Sequence, residues 1–122
     1  MANAINWFEI PAVNFDRAKQ FYSEVLDAEL PVNEMMGVQM AFFPTEQGSV
    51  SGAVCCGEGY TPSAEGAKIY LNGGEDLNTP LSRVEKAGGK VVMPKTKISD
   101  EIGYFAIFMD TEGNQVSFHS QK

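Results

Sequence analysis

A chain of 122 residues with 43% hydrophobic and 20% charged content is sized for one domain with its own core, which excludes a disordered segment. The formal net charge of −7, with no basic run, excludes a general nucleic-acid binder and a binder of anionic membranes. No apolar run approaches the ~20 residues that a bilayer requires, and the start lacks a secretory signal's basic and long apolar stretches, so a cytoplasmic protein is expected.

Ile5 to Ile10 alternates, with Ile5, Trp7 and Glu9 on one face and Asn6, Phe8 and Ile10 on the other. Pro11 is expected to end this strand, because it brings no N–H to a ladder. Asn14 is placed as an N-cap with Asp16 in the first turn. Phe15, Ala18, Tyr22, Val25 and Leu26 then recur at helical spacing, which predicts a helix from Phe15 to Asp27. Short strands follow: a weak one at Glu29 to Pro31, one through the alternating Met36, Val38, Met40 and Phe42, and one over Ser49 to Cys56. Met35, Met36 and Met40 either fill space or line a pocket or interface. Cys55 and Cys56 are adjacent and form no ordinary disulfide framework, so both are expected to be reduced strand residues.

Residues 58–66 are rich in turn formers and divide the chain. Beyond them, Ala67 to Asn72 is a strand, and Leu77, Leu81, Val84 and Ala87 predict a helix stopped by Gly88-Gly89. Lys90 to Met93 is a strand broken by Pro94, followed by a polar loop to Ile102. The last stretch, Gly103 to Lys122, has the form of a β-hairpin turning at Asp110-Thr111-Glu112-Gly113-Asn114. Val116 and Phe118 then face a core, and Gln115, Ser117 and His119 face away from it.

Thr45-Glu46 matches Thr111-Glu112, and Val50-Ser51 matches Val116-Ser117, each at an offset of 66 (111 − 45; 116 − 50). One supersecondary unit is therefore written twice within a single domain spanning 1–122: repeat one over 1–57, a linker over 58–66 and repeat two over 67–122. Each βαβββ unit has one helix to cover one sheet face. The other face is left for its twin, a partner chain or a ligand, and is the candidate site.

The paired βαβββ order carries several further marks: Phe8-Glu9-Ile10-Pro11 leading into Asp16-Arg17-Ala18 and Phe21-Tyr22, Gly88-Gly89 before a strand, and the Asp110–Asn114 turn before the last strand. Together these resemble the vicinal oxygen chelate superfamily, the glyoxalase, bleomycin-resistance and extradiol-dioxygenase group, and within it the short glyoxalase-related members. The resemblance implies an α+β fold, two βαβββ repeats side by side forming a curved eight-stranded sheet around a concave site, and a homodimer. Members that perform metal chemistry place His, Glu or Gln on four strands. Here those places fall on Trp7, Ser51, Lys68 and Ser117, none a good ligand for a divalent cation, so no metal and no other cofactor is expected.

The same face is expected to carry Tyr70 and Asn72 as further ligand contacts, with His119 and Glu9 as candidate catalytic acid or base. Glu9 with His119 also offers a weak cation site, and Lys68 either pairs with Glu9 or holds an anionic group. Two functions follow from the resemblance. One is a lyase related to lactoylglutathione lyase, acting on a small oxygenated metabolite with the usual metal ligands replaced. The other is a metal-free protein that binds and sequesters a small molecule, as the bleomycin-resistance branch does with a cationic drug in an acidic groove.

Overall fold

A computed structural model describes residues 3–122. In the first half, β1 (Trp7–Ala12), α1 (Phe15–Leu26), β2 (Val32–Met35), β3 (Val38–Phe42) and β4 (Ser51–Cys56) form a sheet ordered β1-β4-β3-β2. The second half repeats this with β5 (Tyr70–Asn72), α2 (Asn78–Leu81), β6 (Lys90–Ser99), β7 (Gly103–Met109) and β8 (Gln115–Ser120), ordered β5-β8-β7-β6. In both sheets the first and last strands of the unit run parallel, and the remaining pairs are antiparallel. The architecture is thus the expected pair of βαβββ units, with the eight strands divided into two four-stranded sheets.

Helix α1 forms where its caps and apolar stripe placed it. The Asn14 side chain accepts from the Arg17 N–H at 3.0 Å. Asp27 closes the far end in the left-handed region (φ 51°), and the Ala28 N–H reaches the Ser23 carbonyl at 3.1 Å. The buried stripe is Phe15, Ala18, Phe21, Tyr22 and Val25. Tyr22 meets Phe43 of the first half edge-on (centroids 5.3 Å apart) and Phe108 of the second (6.5 Å). One core, including Ile10, Val54, Val84 and Phe118, therefore serves both sheets.

Four local expectations are corrected. Pro11 does not end the first strand; β1 continues to Ala12, because it is an edge strand, where a residue without an N–H is tolerated. The strand expected through Met36 to Phe42, with a weak one at Glu29 to Pro31, is instead the hairpin of β2 and β3. Its two-residue turn is Met36-Gly37, both at positive φ (54° and 82°), the backbone that matches the strands' twist. Helix α2 stops at Leu81 rather than running to Ala87, since the Arg83 and Val84 N–H groups bond three residues back and tighten the chain. Leu77, Leu81 and Val84 are buried all the same. Finally, residues 95–99 belong to β6 rather than to a loop. This strand is also an edge, and register shifts near Met93 and Thr96 absorb Pro94.

The turn at Asp110 to Asn114 does more than reverse the chain. Asp110 Oδ1 accepts from the Glu112 and Asn114 N–H groups at 2.8 and 2.9 Å. Its Oδ2 accepts from the Tyr22 hydroxyl at 2.7 Å and Asn114 Nδ2 at 2.9 Å. Asn114 Nδ2 also donates to the Pro11 carbonyl at 2.7 Å. Glu112 reaches the start of α1, where Oε1 accepts from the Val13 and Asn14 N–H groups (2.9 and 2.8 Å) and Oε2 pairs with Arg17 Nε (2.7 Å). Burial pushes the Glu112 carboxyl up, but the Arg17, Asn14, Val13 and Thr111 donors outweigh it and hold the group below its ordinary value. The motif is a clasp between the repeats.

Candidate functional site

Strand register fixes which residues share the faces opposite the core. In the first sheet Trp7 pairs with Ser51, Glu9 with Ala53 and Pro11 with Cys55. In the second, Tyr70 pairs with Ser117 and Asn72 with His119. The equivalent of Trp7 in the second half is therefore Tyr70, not Lys68, because seven residues rather than eight separate the strand position from the first helical apolar residue (77 − 70; 15 − 7).

On the first sheet, the connection between the halves folds back over this face. The Tyr60 hydroxyl donates to Glu9 Oε1 at 2.7 Å, and Trp7 Nε1 donates to Oε2 at 3.3 Å. The hydrogen bond to Glu9 pushes the Tyr60 phenol up to about 12, so it remains a neutral donor. Beneath them Cys55 is fully buried, and burial together with the Glu9 charge pushes its thiol up to about 12. Both cysteines are free thiols. The Trp7 ring, 42% exposed, stands edge-on to Phe42 with centroids 6.0 Å apart.

Lys68 does not pair with Glu9. Its amine donates to the Ala64 carbonyl at 2.9 Å and to Gln115 Oε1 at 3.0 Å. Ser117 is buried, whereas Tyr70 is 55% exposed. His119 Nε2 lies 2.6 Å from the Ile102 carbonyl, an acceptor, so that nitrogen is the donor.

A cavity of about 620 Å³ opens at the seam between the halves. It is lined by Ile5, Phe8 and Ser51 from the first half and by the stretch Lys68 to Asn72 from the second, with Leu26, Phe43 and Val50 closing its apolar wall. It brings together Ser51, Lys68, Tyr70 and Asn72; Trp7, Glu9, Ser117 and His119 are not among its lining residues. His119 instead borders a neighbouring hollow with Tyr70, Ile98, Ile102 and Phe105. Tyr60 and the wall residues Ile5, Leu26 and Phe43 were missed by sequence reasoning. The signal for Tyr60 was a lone aromatic in a linker of turn formers; the wall residues look like ordinary core.

A family model described as the Glyoxalase/Bleomycin resistance protein/Dioxygenase superfamily matches residues 4–118. The chain belongs to this superfamily. It is 32% identical over 115 residues to a glyoxylase-like domain-containing protein of Didymella fabae, covering 90% of this chain and 88% of the relative. Among solved structures, it is similar to a glyoxylase/bleomycin resistance protein/dioxygenase domain from Frankia sp. EAN1pec (TM-score 0.73, 16% identity, all of both chains). It is also similar to TnmS3, an antibiotic-binding protein from Streptomyces sp. CB03234 (TM-score 0.67, 18% identity, 100% of this chain and 99% of the other).

Superfamily membership raises the question of a divalent metal. At the pairs Trp7–Ser51 and Tyr70–Ser117 the side chains are an indole, a phenol and two hydroxyls; the carboxylate of Glu9 and the imidazole of His119 stand one pair further along. The indole nitrogen has no lone pair to give, and the Ser51 hydroxyl is already spent on the Phe43 carbonyl at 3.0 Å. Among the described residues no three His, Cys, Asp or Glu side chains gather in a metal-holding group. Among the same residues, no helix is long and apolar enough to cross a membrane.

Proposed function

We propose that the protein binds and sequesters a small organic molecule in the seam cavity, without a metal. The observation that carries this is the cavity itself: about 620 Å³, within the range of small-molecule sites, walled mainly by apolar side chains and edged by Ser51, Lys68, Tyr70 and Asn72. In addition, the acid–base candidates are engaged elsewhere. Glu9 is held by Tyr60 and Trp7, and His119 by the Ile102 carbonyl. TnmS3, which has the same fold, is by its name an antibiotic-binding protein. The test is a thermal-shift screen of metabolites and drugs. A ligand should raise Tm with concentration and be recovered chemically unchanged, and Ser51→Trp, which puts a bulky ring in the cavity lining, should abolish the shift. Failure of every compound to shift Tm refutes the reading.

The second reading is the lyase acting on a small oxygenated metabolite. It is favoured by one observation: the only imidazole of the chain, His119, lines a hollow together with Tyr70. Glu9 is the other proton shuttle in this reading. If His119→Ala and Glu9→Ala leave turnover of every accepted compound untouched, it falls. The homodimer is proposed on the outer strands, where Val32 and Met35 of β2 and Val92 and Met93 of β6 are exposed. Light scattering at micromolar concentration gives twice the chain mass if this is right.

A further inference from the structure

Resting on the reading of the seam cavity as a small-molecule site, we infer that its ligand is an apolar molecule carrying one carboxylate, and that Lys68 takes the charge. Of the side chains lining the cavity, only Lys68 is charged. The chain as a whole is acidic at −7, yet not one Asp or Glu lines this cavity. A cationic ligand would meet a like charge there with no carboxylate to offset it.

The hydrogen bonds around the rim point the same way. An ammonium carries three N–H groups, and the Lys68 amine directs two of them at neutral acceptors, the Ala64 carbonyl and Gln115 Oε1. Among the described residues it has no ion pair, so no carboxylate of this chain neutralises its charge. These two neutral acceptors also hold a long, flexible side chain in place, which lowers the ordering cost on binding. Tyr70 and Asn72, two and four residues further on at the start and end of β5, line the same cavity as Lys68. Asn72 Oδ1 is occupied by the Gly74 N–H at 2.8 Å, which leaves its NH₂ as the remaining group, a donor. The lining thus includes one cationic side chain, Lys68, and one amide, Asn72, among the apolar Phe8, Leu26, Phe43, Val50 and Leu71. A carboxylate on a hydrocarbon or aromatic body matches both parts.

The experiment is calorimetric titration with arylacetates and straight-chain alkanoates of graded length, each paired with its primary amide and its amine. The wild-type protein should bind the best carboxylate at least about tenfold more tightly than its amide, since charge-assisted hydrogen bonds are about twice as strong as neutral ones. The amine should bind more weakly than either. Lys68→Met should abolish the preference for the carboxylate over the amide, whereas Lys68→Arg keeps most of it. Lys68 is exposed and its substitution should leave Tm close to wild type, which a melt of each variant checks. Equal binding of acid and amide, tightest binding of the amine, or a preference that survives Lys68→Met each overturns the carboxylate inference while leaving the cavity as a binding site. If no member of any series binds, the binding reading itself falls with it.

Discussion

Tyr22→Phe removes a single oxygen from the middle of the core, and its cost can be worked out from the contacts. The ring stays, with its packing against Phe21, Phe43 and Phe108 at centroid distances of 4.9, 5.3 and 6.5 Å. What goes is the hydroxyl that donates to Asp110 Oδ2 at 2.7 Å. Burial first, then the Asp110 charge, pushes the Tyr22 phenol far above its ordinary value, so it is a neutral donor at any working pH. A hydrogen bond to a charged group is worth about 1.5–3 kcal/mol. Asp110 keeps the two backbone N–H groups and Asn114 Nδ2 as donors, so the carboxylate is not orphaned and the lower part of that range applies. We expect a loss of about 2 kcal/mol, or about 8 °C in Tm for a domain of this size. Urea unfolding should show a lower midpoint with an unchanged m-value, constant from pH 6 to 9. A loss below about 0.5 kcal/mol, less than a typical neutral hydrogen bond contributes, would refute the view that this bond couples α1 to the second repeat.

Glu112→Gln should flatten the acid limb of stability. The folded carboxyl sits below its ordinary value, so the unfolded chain binds more protons in that interval. The stabilisation is present above about pH 4.3 and is lost as pH falls through the folded value; urea midpoints between pH 3 and 6 for both proteins measure it. Cys55, buried and pushed up to about 12, should resist Ellman's reagent at pH 8 until denaturant is added, leaving at most one thiol, Cys56, reactive in the native protein. Equal fast labelling of two thiols would contradict the fold of β4. Met36→Asn should stabilise by about 0.5–1 kcal/mol, because Asn accepts the positive φ of this turn more readily than Met does. A lowered thermal midpoint would argue against the hairpin assigned to β2 and β3.

Much of the architecture was legible in the chain because it depends on short-range periodicity. The caps and stripe of α1, the last hairpin and the 66-residue echo between Thr45 and Thr111 follow from residue spacing alone. Boundaries were less legible where tertiary position overrides local preference. Pro11 and Pro94 look like strand breakers, yet both lie in edge strands, and whether a strand is central or outermost is decided only by sheet assembly. Similarly, Met36 fits an alternating strand until the twist of β2 and β3 demands a tight reversal there.

The site shows the same division more sharply. The two-residue repeat of a strand is enough to put Trp7 with Glu9 and Tyr70 with Asn72, although the strand expected from Ala67 begins only at Tyr70 and leaves Lys68 outside it. It does not say that Tyr60 folds over Glu9, that Tyr70 rather than Lys68 matches Trp7, or that Glu112 reaches back to cap α1. Those depend on pairings and contacts between residues tens of positions apart, and the cavity lined by both Ser51 and Lys68 draws its walls from the two halves. Periodicity along a chain determines faces; which faces come together is settled by the packing of one shared core.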